Sequence, residues 1–504
     1  MAESQTYSYK GRATTIADPT RITPAECLAL ARCGDGAWNS WRQEFPGEPL
    51  REVNVASFSG VDFTEEDIDF SGFRFDGVDF SNAVFGRRQK FRHCNFGRAN
   101  FSNANFSHFA YFEGSVFNTS DFEGVEFLKL ASFNSTLFGG TTRFRNCNFH
   151  EQANFGGACI TGDVYFDQSK FSKDAYFIGT LFGDSASFIC CDFQGEAVFD
   201  GRPIETLRQV FTKPPYSFAW PMIESYVEKR GFSSMHFCEM DFNGVHFKDR
   251  VSFRSRSFNA RTSFDIGRQL RECQTKYIDG REMVEEIYDL RPVVFEKPPE
   301  FFDSKFCQQI SFDHARFPAS IGDGGAARCY RVLKQAFAAQ QANREEQRFF
   351  RLEMAEEARM AWSLRGLMST WWADRGRQEK TELPPARLIY KLYAVLSDFG
   401  FSISRPAGLF IVSLLTAAGL YGWQAGLTVC WHTGAACTAT GSLAQFTFAH
   451  ALPGLEKLAE PASEALFGHQ LGFWTVLTVV LHKAVSLLAL FLIGLALRNL
   501  FKMK

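Results

Sequence analysis

The sequence predicts a mainly β chain, in which an array of short repeats precedes a helical region with two long apolar segments. Three observations lead to this prediction. Phenylalanine is in large excess, with 56 residues beside 13 Tyr and 9 Trp, and 43 of the 56 lie between Phe58 and Phe317. After Phe317 the apolar residues follow the 3.6-residue spacing of helices. Two later stretches, residues 407–427 and 471–497, carry almost no charge.

The phenylalanine spacing indicates a repeat. Between Phe127 and Phe199 an apolar ring recurs at alternating intervals of six and five residues, with Ile160 as the one substitution. This spacing fits no single regular element, since successive side chains would rotate by about 140° on a helix and change faces on a strand. The chain must therefore turn between repeats. A small residue stands two positions before most of these Phe, so we expect one large and one small side chain per repeat to point inward. The predicted structural ladder comprises Phe133, Phe138, Phe144, Phe149, Phe155, Phe166, Phe171, Phe177, Phe182, Phe188, Phe193 and Phe199.

Runs such as GVDF at 77–80 and RANF at 98–101 resemble the pentapeptide-repeat family. The resemblance implies a right-handed quadrilateral β-helix with four repeats per turn and the Phe side chains stacked inside. It also implies that this part of the chain is a spacer or a binding scaffold without chemistry of its own.

The array is interrupted twice and flanked by predicted helices. The interruptions at 201–231 and 265–294 are each long enough for a helix, and residues 282–290 have a helical pattern. They are either a binding surface for an unknown cytoplasmic protein partner or side-packed decoration. Thr23 and Glu26 form a capping-box pattern, which predicts a short helix that covers the first coil. After the array, a helical hairpin is expected, with its break near Ala342 and Asn343.

The predicted organisation follows from these boundaries. It comprises an N-terminal helical cap (1–56), the β-helix (57–200), an inserted segment (201–231), the continued β-helix (232–264), a second insertion (265–294), a last coil (295–320), a cytoplasmic helical hairpin with linker (321–386) and a two-span transmembrane domain (387–504) with an external loop at 428–470.

The two apolar stretches are long enough to cross a bilayer as helices. Residues 407–427 would span about 31 Å, which matches the hydrocarbon core, and residues 471–497 would span it with tilt. Basic residues flank the outer ends of the pair, so the positive-inside rule places both termini in the cytoplasm. A buried hairpin of a soluble protein is the alternative.

Two C-terminal stretches carry a second resemblance. LSDFG at 396–400 and LALRNLF at 495–501 are similar to the two-span module of bacterial pentapeptide-repeat membrane proteins. That module resembles two-span ion channels, in which a short re-entrant helix lies between the membrane helices. The resemblance implies a multi-pass protein of the bacterial inner membrane with an external re-entrant segment near residues 442–455, and its candidate residues are Phe446, Phe448, His450 and Pro453. No TVGYG-like filter follows, so the sequence gives no support for potassium selectivity.

One face of the second stretch is polar. Thr475, Thr478, His482 and Ser486 are spaced by three, four and four residues, which places them on the same side of a helix. Polar groups avoid lipid, so this face either lines a pore or packs against another helix. Two helices cannot enclose a pore alone, and conduction would therefore require a homo-oligomer in the lipid bilayer.

Several functional classes lack support in the sequence. None of the 13 Cys forms a C-x-x-C pair, the ten His form no H-x-x-x-H pair, and no Walker or G-x-S-x-G pattern occurs. We therefore expect no enzyme activity, metal or cofactor. Cys430 and Cys437 fall in the predicted external loop and are a candidate disulfide. The formal charge of −2 makes a nucleic-acid binder unexpected.

The sequence thus predicts an oligomeric, channel-like pore with a cytoplasmic β-helix that senses or binds a partner. Two alternatives stay open. One is a membrane-tethered interaction scaffold that does not conduct. The other, which the family resemblance implies, is a DNA mimic that modulates topoisomerases, although the β-helix carries only a modest excess of acidic residues.

Overall fold

In the computed structural model the chain divides into two compact units, Met1–Ile321 and Gly322–Lys504. The structure describes residues 4–46, 55–87, 89–213, 220–230, 236–258, 260–278, 281–306, 309–318, 324–360, 392–426, 436–468 and 470–502.

The first unit begins with a β-hairpin and two helices. Strands Gln5–Tyr9 and Arg12–Ile16 pair antiparallel, and helices α1 (Pro24–Cys33) and α2 (Asp35–Glu44) follow. The predicted capping box is present, since the Thr23 hydroxyl accepts from the Glu26 amide and the Glu26 carboxylate accepts from the Thr23 amide. The sequence analysis did not predict the hairpin.

Helix α2 covers the first coil of the array. The buried Trp38 ring lies 5.4–5.8 Å from the rings of Phe58, Phe73 and Phe75. This contact shields the first coil, whose strands would otherwise offer unpaired edges.

The array is a parallel β-solenoid of about nine turns, which confirms the predicted quadrilateral β-helix. A 14-stranded sheet forms two of its faces, because some longer strands continue round a corner, and sheets of eight and seven strands form the others. The 14-stranded sheet contains Ala56–Ser57, Val78–Asp79, Asn95–Asn100, Val116–Asp121, Leu137–Phe138, Thr142–Arg143, Cys159–Ile160, Val164–Tyr165, Leu181–Ser187, His236–Asp241, Ser257–Phe258, Thr262–Ser263, Lys305–Phe306 and Ile310–Ser311.

The other two faces are built from strands of two residues each. The eight-stranded sheet contains Val84–Phe85, Asn105–Phe106, Glu126–Phe127, Asn148–Phe149, Lys170–Phe171, Asp192–Phe193, His246–Phe247 and Val294–Phe295. The seven-stranded sheet contains Gln89–Lys90, Ala110–Tyr111, Ala131–Ser132, Ala153–Asn154, Ala175–Tyr176, Ala197–Val198 and Val251–Ser252.

The phenylalanine side chains stack in columns inside the solenoid, and each ring stacks on the ring four repeats earlier in the sequence. Phe155, for example, stacks on Phe133 at 4.9 Å and on Phe177 at 5.0 Å between ring centroids. Every member of the predicted ladder is at most 1% exposed. The small residues two positions earlier also point inward, and several donate a hydrogen bond to the carbonyl of a Phe in the preceding coil. Thr136 donates to Phe112 and Thr180 to Phe155 in this way.

The first insertion is helical, as its length suggested. Helices α3 (Glu205–Phe211) and α4 (Trp220–Arg230) lie on the outside of the solenoid. Leu207, Phe211 and Ile223 pack with Leu137 and other outward-facing apolar residues of one face. The insertion therefore covers an apolar strip that would otherwise meet water.

The second insertion is an antiparallel β-hairpin of strands Gly267–Ile278 and Arg281–Arg291. The helical interpretation of residues 282–290 is therefore wrong. The sequence between the strands is Asp-Gly at 279–280, which is a strong signal for a tight hairpin connection. A helical pattern over nine residues is a weaker signal than this dipeptide. The next strand of the solenoid is Val294–Phe295.

The second unit begins with a helical hairpin and continues with the apolar helices. Helices α5 (Gly324–Ala339) and α6 (Asn343–Met360) break close to the predicted position, and the nearly buried Glu353 carboxylate pairs with Arg331 and Lys334. Further along the unit lie the helices α7 (Ser404–Gln424), α8 (Ala436–Ala451), a 3₁₀ turn (Glu456–Ala459), α9 (Glu460–Phe467) and α10 (Phe473–Lys502). Among the described helices, α7 and α10 are long and apolar enough to cross a membrane.

Candidate functional site

The polar face of α10 lies against α7. Thr475, His482 and Ser486 are at most 5% exposed, and the side chains of His482 and Ser486 enter the contact between the two long helices. The hydroxyl of Tyr421 lies 3.3 Å from Nδ1 of His482, and the hydroxyl of Ser413 lies 3.5 Å from that of Ser486. Within one chain, His482 and Ser486 therefore belong to a helix-packing face, and Thr475 is buried on the same side of α10.

Thr478 is the member of the set that stays accessible at the edge of this contact. Its hydroxyl donates to the carbonyl of Trp474 at 2.9 Å and accepts from Nε2 of Gln424 at 3.0 Å. A groove of about 240 Å³ runs beside the contact of α7 with α10. Its polar lining consists of Ser413, Thr416, Thr478 and His482, and the rest of its wall is apolar.

A short helix packs against the long pair. Helix α8 begins at Ala436, before the predicted segment, and Phe446 is fully buried with its ring edge-on to Tyr421 at 5.0 Å. His450 is half-buried and lies 4.5 Å from the Phe446 ring. Phe448 is 52% exposed, and Pro453 lies on the surface just after the helix ends. Of the four candidate residues of the external segment, Phe446 and His450 contribute to the packing.

Charged side chains link the 3₁₀ turn that follows α8 to α10. The Lys483 ammonium group forms an ion pair with the Glu456 carboxylate, and this hydrogen bond lowers the pKa of Glu456. Burial lowers the pKa of His450, and the positive charge of Lys483 lowers it further. The only lysine within the apolar stretch of α10 is therefore neutralised by a residue outside that helix.

Comparison with known families identifies the solenoid. A family described as "Pentapeptide repeats (9 copies)" matches residues 70–116, 91–137 and 122–170. The solenoid belongs to the pentapeptide-repeat family. The comparison with curated proteins gave no match, and the comparison with solved structures gave none either.

The family match falls within the pentapeptide-repeat solenoid and does not extend to the helices of the second unit. In that unit, the LSDFG and LALRNLF stretches contact each other. The Asn499 side chain donates to the carbonyl of Gly400 at 3.1 Å. Gly400 has a positive φ of 83°, and a Cβ there would lie 2.8 Å from the Tyr393 hydroxyl. The LSDFG and LALRNLF stretches therefore form one packed junction beside the N-terminal end of α7.

Sequence reasoning missed several residues of this site. Besides Ser413, helix α7 contributes the polar groups of Thr416, Tyr421 and Gln424, and none of these was a candidate residue. A glutamine near the end of an uncharged stretch was a usable signal, because its amide needs a partner away from water.

The candidate disulfide stays a prediction. Cys430 and the side chain of Cys437 lie outside the described residues. Eight other cysteines, including Cys94, Cys147 and Cys191, have described side chains that are buried and form no disulfide. Among the described residues, the structure contains no cluster of three side chains able to hold a metal ion.

Proposed function

We propose that this protein resides in the bacterial inner membrane, and that several copies of its α7–α10 region assemble round one axis into a channel-like pore. The pentapeptide-repeat solenoid is then a cytoplasmic sensing or interaction domain. The observation that carries this proposal is the short helix α8, which packs against both long apolar helices through Phe446, Tyr421 and Val479. A long–short–long arrangement of this kind is what the resemblance to two-span channels implies.

The exposed surface of the long helices supports membrane insertion. Leu415 on α7 and Phe491 on α10 are more than 60% exposed, which is unfavourable in water and favourable in lipid. Trp423 and Trp474 are exposed at one end of the pair, where interfacial aromatic residues are expected. Arg405 lies in the first turn of α7, at the opposite end, where the positive-inside rule expects the cytoplasm.

The groove between α7 and α10 supports a pore formed by several copies. Thr416 and Thr478 place hydroxyl groups in a surface groove of two otherwise apolar helices. Both hydroxyl groups donate to carbonyls of their own helix, and facing lipid they would find no partner beyond these protein contacts. Facing a shared axis, the same hydroxyl groups would meet water.

Reconstitution tests the proposal. Purified full-length protein in liposomes should pass small ions, and native mass spectrometry of the detergent-extracted protein should show one defined oligomer. Thr478→Leu should reduce ion flux several-fold, because it places an apolar side chain in the groove. Val480→Leu is the matched control, since Val480 lies on an exposed apolar face of the same helix and the change should leave flux unaltered. A monomer without flux at any pH, voltage or membrane tension would overturn the pore.

The tethered scaffold is a second candidate, and the inserted hairpin favours it. Tyr288 and Leu290 are 43% and 65% exposed on strand Arg281–Arg291, although they are large and apolar. Such side chains on a projecting hairpin suit a protein partner. A chain that binds membranes but never conducts would favour this function.

The solenoid surface gives little support to a DNA mimic. Several surface carboxylates form ion pairs with arginine on adjacent coils, as in Glu113 with Arg92 and Glu300 with Arg250. A duplex mimic requires a row of unpaired negative charge. The paired carboxylates therefore favour a scaffold over a nucleic-acid mimic.

A further inference from the structure

We propose that His482 is a proton-binding site between α7 and α10, and that its protonation loosens the contact of these helices. The inference rests on the proposed function where it concerns gating of the pore, but the site itself stands on the packing of a single chain. Protonation would then regulate the same α7–α10 contact whose groove is proposed to line the pore.

The first support is an unpartnered polar atom. His482 is 4% exposed, and its Nδ1 lies 3.3 Å from the hydroxyl of Tyr421. Its Nε2 is buried and has no hydrogen-bond partner among the described residues. A buried ring nitrogen without a partner is unusual in folded proteins, and at a site of this kind it is available to a water molecule or a proton.

The second support is a route for water. His482 lines the groove of about 240 Å³, together with the hydroxyl-bearing residues Ser413, Thr416 and Thr478. Water occupies roughly 30 Å³ per molecule in the liquid, so the groove has room for several molecules. The hydroxyl groups offer the hydrogen-bond partners that such water needs. A proton can therefore reach the ring without passing through the apolar core.

The third support is the set of charges round the ring. Tyr421 on α7, His450 on α8 and Lys483 on α10 are the titratable groups nearest to it on the packed helices. The carboxylate of Glu456, in the 3₁₀ turn, is held by Lys483. Among the described residues, no carboxylate is therefore placed to balance a positive charge on His482. A protonated His450 would add repulsion to that charge.

These observations predict how the contact responds to acid. At neutral pH the uncharged ring fits the buried contact. When acid protonates the ring, a positive charge forms at a buried position without a counter-ion. The contact of α10 with α7 should weaken as a result, and the groove beside it should widen.

Thermal unfolding of the purified full-length protein in detergent, measured from pH 8 to pH 5, tests the site without reference to conduction. The midpoint for the helical unit should fall by several degrees in the wild type. His482→Gln should remove most of this fall, because glutamine can bond to Tyr421 but does not titrate. Tyr421→Phe removes the hydroxyl that contacts the His482 ring and should shift the pH at which the unfolding midpoint falls. This second variant keeps the test informative if His482→Gln does not fold. His108→Gln, in the solenoid, should behave like the wild type.

Two outcomes separate this proposal from the pore. If liposomes show no ion flux but His482→Gln still removes the pH response of unfolding, the proton site stands and the pore fails. If liposomes conduct and His482→Gln keeps the wild-type pH response in both unfolding and flux, the proton site is overturned while the pore stands.

Discussion

The solenoid and the contact of α7 with α10 are stabilised in different ways. Inside the solenoid, Phe155 stacks on two rings of its own column and meets Phe144 and Phe166 edge-on at 5.4 and 5.3 Å. Similar contacts recur at almost every station. Between the helices, polar contact depends on single pairs such as Ser413 with Ser486. A repeated core spreads its stability over many equivalent residues, whereas the helix contact concentrates specificity in a few.

The largest expected effect comes from a charge placed inside the repeated core. Phe171→Asp removes a fully buried ring and buries an unpaired carboxylate. We expect a loss of about 5 kcal/mol or more in the local free energy of unfolding. Hydrogen exchange of the full-length protein should show lost protection in the coils round residue 171.

Lys170→Asp is the matched control, because Lys170 is the exposed residue of the same strand. It introduces the same carboxylate one position away, on the outer face, and should leave the exchange pattern almost unchanged. Equal loss of protection in both variants would mean that the column does not carry the stability of this region.

The buried Arg256 tests whether one residue outside the repeat pattern can contribute to the stability of the solenoid on the scale of a column phenylalanine. It occupies an inward position normally held by a small residue, and its guanidinium donates to the carbonyls of Phe177, Thr180 and Phe199. Arg256→Met should cost about 3 kcal/mol, because those carbonyls lose buried donors. Chemical denaturation of the solenoid measures the loss. A change below about 1 kcal/mol would show that neighbouring groups replace the guanidinium.

The sequence predicted the solenoid well because nearly every repeat places one large and one small side chain inside it. Even Ile160 was recognised as a ladder position, and it pairs in register with Phe138. Arg256 could not be predicted, because its position favours a small side chain and the acceptors lie 57 to 79 residues away. Exceptions to a repeat depend on distant residues that the local pattern does not contain.

The helical unit was predicted only in part for a related reason. Composition identified the two long apolar helices, and spacing identified the polar face of α10. Neither could show that Tyr421 faces His482 or that Asn499 binds Gly400, since these contacts join residues 61 and 99 positions apart. Pairings of this kind are set by the relative position of whole helices.

Gly400 shows how strongly the helical unit depends on single contacts, because it joins two distant stretches of this unit at one point. A Cβ at Gly400 would lie 3.0 Å from the Asn499 amide and 3.1 Å from Leu495. Gly400→Ala should therefore cost about 2 kcal/mol, from backbone strain and crowding together. Gly454 has a similar φ of 85° but open space round it, so Gly454→Ala should cost only the strain, about 1 kcal/mol. Thermal unfolding in detergent compares the two variants, and equal losses would mean that the junction is loosely packed.

The smallest effect is expected at the pair of serines between the long helices. Their hydroxyl groups are 3.5 Å apart, at the limit of a hydrogen bond, and both side chains are buried. Ser486→Ala and Ser413→Ala should each cost about 0.6 kcal/mol, since hydrogen bonds between membrane helices contribute little on average. The double variant should cost less than the sum of the two, because the second substitution removes a partner that is already lost. Unfolding in mixed detergent micelles measures all three variants. Additive losses would show that the serines act only as small residues that let α7 and α10 approach, and specificity would then rest on Tyr421 and His482.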